Sequence, residues 1–77
     1  MKEIIVLGPG CANCKATSAF IESIAAQRGV EIRLTKVEDM QAILSHGIMS
    51  TPGVVVDGKV VHAGGVPSRE KIEGWLT

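Results

Sequence analysis

Neither sign of charge predominates in this chain. Eight Lys plus Arg stand against eight Asp plus Glu, a formal net charge of zero at pH 7. The signs are interspersed, as in Lys2-Glu3 and Arg69-Glu70-Lys71. With no basic stripe to displace counterions from a phosphate backbone, nucleic acid is not an expected partner. Long apolar runs are missing too. The longest is Ile4 to Leu7, far short of a membrane span, so no membrane association is expected. A leader peptide is not expected either, because Cys11, Asn13 and Lys15 interrupt what would be its apolar region. Repeats, linkers and low-complexity segments do not occur. At 77 residues there is room for one domain, spanning residues 1–77, which buries only about 60% of the extended chain's surface.

Cysteine is scarce as well. Cys11 and Cys14 are the only two, and they close a loop too short to restrain the unfolded chain appreciably. The fold must therefore rest on its apolar core, which 45% hydrophobic residues can supply. That leaves the pair available for chemistry. Without an export signal the expected compartment is the cytosol, where such a pair reads as redox-active or metal-binding.

Glu3 to Leu7 is a β-branched, apolar run suited to a central strand covered on both faces, and Gly8-Pro9-Gly10 ends it. Ala12 to Arg28 has helix-forming composition. Thr17, Phe20, Ile21 and Ile24 trace one stripe along it, and Gly29 follows as a stop. From Val30 to Lys36 apolar and polar residues alternate, which predicts a strand with one wet face at a sheet edge. Glu38 or Asp39 then opens a short helix carrying Met40, Ile43 and Leu44, ended by Gly47. Pro52 to Val56 is strand again, Asp57-Gly58 a two-residue hairpin turn, and Lys59 to Ala63 the returning strand. Pro67 or Ser68 begins a last helix with Ile72, Trp75 and Leu76 on its apolar side.

The order is β-α-β-α-β-β-α. It predicts an α/β fold, a four-stranded mixed sheet with three helices, with strands near 2–8, 30–36, 53–57 and 59–63. The first two strands, joined by a helical crossover, should be parallel and the last two antiparallel, in the order 2-1-3-4.

Cys11-Ala12-Asn13-Cys14 falls at the junction of the first strand and first helix. A thiolate on Cys11 would face the helix's unpaired N–H groups and its positive dipole end, which favour the charged form. Lys15 adds positive charge nearby. Cys14, one turn inside, is within reach of a mixed disulfide on Cys11, so an attacking and a resolving thiol are both present. Further along, Ser50-Thr51-Pro52-Gly53 places a proline at the entry to a strand. There it costs no ladder hydrogen bond, and it reads either as a strand-entry breaker or as a rigid turn.

Taken together these motifs resemble the thioredoxin fold. More closely, Gly8 to Lys15, Met49-Ser50-Thr51-Pro52, Val56 to Val60 and Val66-Pro67-Ser68 resemble the minimal thioredoxin-like proteins of prokaryotes, over essentially the whole chain. The resemblance implies a thiol–disulfide oxidoreductase in which Cys11 attacks and Cys14 resolves, with a redox-active Cys11–Cys14 disulfide and no other cofactor. It also implies a cis Thr51–Pro52 bond packed beside the pair. Substrate docking would fall on Gly10, Ala12, Asn13, Ser50, Thr51, Pro52, Gly64 and Gly65, with Lys15 and Met49 in support. The implied partners are protein disulfides and a thioredoxin reductase-like or other thiol reductant, with the chain a monomer.

The sequence departs from the thioredoxin pattern in places. Pro9-Gly10 and Ala12-Asn13 replace the usual tryptophan-glycine and glycine-proline pairs. Ile4 to Leu7 carries no acid, where thioredoxins bury one for proton transfer. Two other readings use the same residues. A soft-metal carrier would hold Cu(I), or half a zinc site, on the two thiolates. Small metal-carrying domains, however, usually have methionine before the first cysteine, where Gly10 stands here. A non-catalytic interaction domain would need neither cysteine. His46 reads as a helix-end cap and His62 as a partly packed surface ring. Gly47-Ile48-Met49 reads as an apolar docking rim, with Ile48 equally suited to the core.

Overall fold

The computed structural model describes residues 2–9, 12–48 and 50–76. Its elements are β1 (Lys2–Leu7), α1 (Ala12–Arg28), β2 (Ile32–Val37), α2 (Met40–Ser45), β3 (Gly53–Val56), β4 (Lys59–Ala63) and α3 (Arg69–Trp75). The four strands form one sheet in the order β2-β1-β3-β4. β1 runs parallel to β2, pairing Lys2 with Ile32 and Leu7 with Val37. β3 is antiparallel to β1 and to β4. The alternating strand is at the edge, where exposed Arg33 and Thr35 keep their contact with water.

The period of two along each strand divides the core between the two sheet faces. Ile4 and Val6 of β1 and Val54 of β3 pack on one face against Ile21, Ile24 and Ala25 of α1 and Ile72 of α3. Leu7 and Val55 point the other way, against Ile43 of α2 and Ile48. The stripe on α1 is real: Thr17, Ile21 and Ile24 are all fully buried. Phe20 packs at its margin, only partly covered.

Four expected strand boundaries move: β1 ends at Leu7, β2 ends at Val37 and β3 ends at Val56, each one residue from the expectation, and the start of β2 shifts by two. The second strand begins at Ile32, not at Val30, because Val30 is taken up in stopping α1. Gly29 adopts φ +66°, the Val30 N–H donates to the Ala25 carbonyl at 2.9 Å, and the Gly29 N–H donates to Ala26 at 3.3 Å. This pair of bonds is a Schellman stop, which turns Val30 back onto the core beside the helix end. The same device closes α2. Gly47 has φ +76° and donates to Leu44, while Ile48 donates to Ile43. Ile48 is thereby folded under the helix, 2% exposed, and belongs to the core, not to a docking rim.

The remaining ends follow the sequence signals. Asp39 caps α2 by accepting from the Gln41 N–H, and Ser68 caps α3 by accepting from Lys71. Asp57 and Gly58 make the β3–β4 turn with φ +49° and +85°, so the third strand stops at Val56.

Candidate functional site

The carboxyl end of β1 and the first turn of α1 meet at the site, and the approach to β3 closes against them. Cys14 is the third residue of α1 and is 5% exposed. Two back-bonds tie down the turn that carries it. Thr17 Oγ1 donates to the Asn13 carbonyl at 2.7 Å, and Ser18 Oγ donates to the Cys14 carbonyl at 3.1 Å. Ala12, Asn13 and Lys15 are exposed around it.

Gly8, the residue just past β1, is what makes room for the thiol. A methyl group there would overlap Cys14 Sγ and stand 3.2 Å from Cys14 Cβ. The same point lies 3.7 Å from Thr51 Cβ, so Cys14 and Thr51 converge on Gly8 from two segments far apart in sequence. The Thr51–Pro52 peptide bond is cis, and Pro52 is fully buried. Its carbonyl accepts from the Gly64 N–H at 2.9 Å. Ser50 stands against Gly64, its Cβ 3.1 Å from where a side chain there would begin. Of the residues expected at the site, Cys14, Ser50, Thr51, Pro52 and Gly64 are therefore drawn together. Gly65 lies one residue further on, and its carbonyl accepts from His62 Nε2 at 2.9 Å. Gly10, Cys11 and Met49 lie outside the described residues.

Sequence reasoning did not pick out the cavity on the β2 side of Cys14, of about 110 Å³. It is lined by Val6 and Gly8 from β1 and its end, Cys14, Lys15 and Ser18 from α1, and Lys36 and Glu38 from the end of β2 and just beyond. In the sequence Lys36 reads only as the end of a strand and Glu38 only as a possible start of the second helix. The parallel pairing of β1 and β2, with Val6 opposite Lys36, is what carries them to Cys14.

The two histidines are accounted for elsewhere. His46 Nδ1 donates to the Ala42 carbonyl at 2.8 Å, closing the end of α2. Because His62 Nε2 donates to Gly65, its Nδ1 accepts from Lys71 Nζ at 3.0 Å, and its ring packs 6.1 Å from Trp75. Among the described residues, no group of three or more His, Cys, Asp and Glu is placed to hold a metal ion.

A four-stranded 2-1-3-4 mixed sheet, with a buried cysteine in the first turn of the helix that joins its two parallel strands, defines a protein of the thioredoxin-like class. Comparison with known proteins narrows this. Residues 2–77 match the family model described as thioredoxin domain. The thioredoxin of Methanothermobacter thermautotrophicus is 33% identical over 77 residues, covering all of both chains. The thioredoxin of Methanocaldococcus jannaschii is 32% identical over 76 residues, covering 99% of this chain and 87% of that one. Oxidized mitochondrial thioredoxin 3 of Saccharomyces cerevisiae superposes with a TM-score of 0.67 at 17% identity, over 97% of this chain and 76% of that one, a likeness of fold. The chain belongs to the thioredoxin domain family.

Proposed function

We propose that this protein is a thiol–disulfide oxidoreductase that exchanges disulfides with protein substrates through Cys11 and Cys14. The observation that carries this reading is the seat of Cys14. Its thiol is buried in the first turn of α1, against Gly8 and beside the cis Thr51–Pro52 segment. A buried thiol in the first turn of a helix suits the resolving role, and Cys11, three residues earlier in the sequence, is left to attack.

The Cys11 thiolate attacks one sulfur of a substrate disulfide, forming a mixed disulfide and releasing the other substrate sulfur as a thiolate. Cys14, once deprotonated, attacks Cys11. The Cys11–Cys14 bond forms, the second substrate sulfur leaves, and the substrate has gained two electrons. An extended substrate chain would dock along Ala12-Asn13 and Ser50-Thr51-Pro52, with Gly64 and Gly65 at its edge. A thiol reductant, a thioredoxin reductase-like protein among them, would then restore the dithiol, which suits a reducing compartment such as the cytosol. Among the described residues no helix is long and apolar enough to cross a membrane.

Turnover of a model protein disulfide with excess dithiol tests the reading. The parent chain should turn over, Cys14→Ser should accumulate a mixed disulfide on Cys11, and Cys11→Ser should form none. Equal trapping by both variants would reverse the assigned roles. Stoichiometric Cu(I) binding without any turnover would replace exchange by metal carriage.

A further inference from the structure

The turn that leads from β4 toward α3 stands at the site, and it is tied down at both ends. Gly64 and Gly65 have φ +85° and +73°, a conformation that glycine enters easily and leaves as easily. At the head of the turn the Gly64 N–H donates to the Pro52 carbonyl at 2.9 Å, which joins it to the cis Thr51–Pro52 segment. At its tail the Gly65 carbonyl accepts from His62 Nε2 at 2.9 Å.

His62 reaches that carbonyl because the strand ladder slips. Val54 pairs with His62 while Val55 pairs with Val60, so Val61 is the extra residue of a β-bulge. Strict alternation would leave His62 on the face of Val60 and Val55. The bulge turns it to the face of Val54 instead, beneath α3. There Lys71 Nζ lies 3.0 Å from His62 Nδ1, and the Trp75 ring packs beside the imidazole. These partners admit one neutral tautomer. A carbonyl can only accept, so Nε2 carries the hydrogen, and an ammonium can only donate, so Nδ1 is bare. Lys71 thus favours the form of the ring that bonds Gly65.

We propose that His62 is a positioning residue for substrate docking, holding the Gly64–Gly65 turn in place beside the cis Thr51–Pro52 segment. The inference rests on the exchange reading above, in which this turn edges the groove for an extended substrate chain. A turn already held has less freedom to lose when a substrate chain settles against it. His62 therefore acts on docking and leaves the chemistry of the two thiols alone. A small disulfide, which reaches the cysteines without lying along the groove, should not register its loss.

Three variants separate the hydrogen bond from the bulk of the ring. His62→Gln keeps an N–H donor, His62→Phe keeps a flat ring beside Trp75 without one, and His62→Ala keeps neither. Each is assayed with excess dithiol, the uncatalysed rate subtracted, on hydroxyethyl disulfide and on a disulfide-bonded peptide extended on both sides of its cysteine. Urea midpoints are measured in parallel. His62→Phe and His62→Ala should raise KM for the peptide about three- to ten-fold, the worth of one hydrogen bond, with little change in kcat. His62→Gln should recover most of that loss, and all three should match the parent on hydroxyethyl disulfide. In the parent, a long-range proton–nitrogen correlation spectrum should show the neutral His62 ring protonated at Nε2.

A parent-like peptide KM in His62→Phe, or equal losses in His62→Phe and His62→Gln, overturns the proposal and leaves the exchange reading intact. So does a lowered urea midpoint with no change in KM, or a neutral His62 ring protonated at Nδ1. A parent chain that reduces neither disulfide overturns the exchange reading as well.

Discussion

Gly8 shows how much one missing methyl group decides. Its backbone needs no special conformation, yet the Cys14 thiol occupies the space where its side chain would be. Gly8→Ala must therefore displace either α1's first turn or the end of β1. Over-packing at such a site costs about 1–3 kcal/mol. We expect a lower urea midpoint with little change in the slope, and a larger loss of disulfide turnover than the stability loss alone would cause. An alanine variant with the parent's midpoint and turnover would show that Cys14 can be reseated without cost. Ile48 makes the complementary point. It is read equally well as rim or core until the Schellman stop after α2 is seen to fold it inward, where it meets Leu7, Ile43 and Val55.

Among the elements, the short helices depend most on their ends. α2 has six residues and α3 seven, too few to be helical alone. Each has a side-chain cap, Asp39 at 3.1 Å from the Gln41 nitrogen and Ser68 at 3.2 Å from that of Lys71. Replacing either by alanine should cost about 1 kcal/mol in a denaturant titration. The two should differ in function. Asp39 follows Glu38 directly, so fraying of α2 loosens a residue that lines the cavity beside Cys14, whereas no described residue of α3 lines it. We expect Asp39→Ala to slow release of the mixed disulfide and Ser68→Ala to leave it unchanged. The reverse order would separate the start of α2 from the chemistry. By contrast α1, with 17 residues, needs no such help, because Ile21, Ile24 and Ala25 anchor it to the sheet.

For the molecule as a whole, stability must come from two modest apolar layers on one thin sheet. The Arg33–Glu3 pair at 3.7 Å is well exposed and the Arg69–Glu73 pair at 3.1 Å only partly covered, so both contribute little. A domain of this size holds roughly 4–12 kcal/mol in total. Ile24, fully buried where α1 meets the sheet, should cost about 2–5 kcal/mol on truncation to alanine. Urea unfolding of Ile24→Ala should show most of that stability gone, in one cooperative transition. A loss confined to α1, with the sheet still protected from hydrogen exchange, would show that the two layers fold independently.

The order of elements, the extent of α1, the edge position of the alternating strand and the Asp57-Gly58 hairpin were all legible in the chain. Each depends on local periodicity and turn chemistry, which act between near neighbours. Cys14 in the first turn of α1 and the proline at the strand entry were legible for the same reason. Strand starts were less so, because Val30 satisfies the alternating pattern and also completes the stop of α1, and the hydrogen bonds to Ala25 and Ala26 decide between the two. What the tertiary structure alone determined is how the site closes. Gly8, Cys14 and Thr51 meet through the packing of three segments, and Lys36 and Glu38 reach Cys14 through the register of two parallel strands separated by the whole of α1. Local sequence carries no mark of such approaches, since they depend on where a distant strand sits, to within one residue, beside its neighbour.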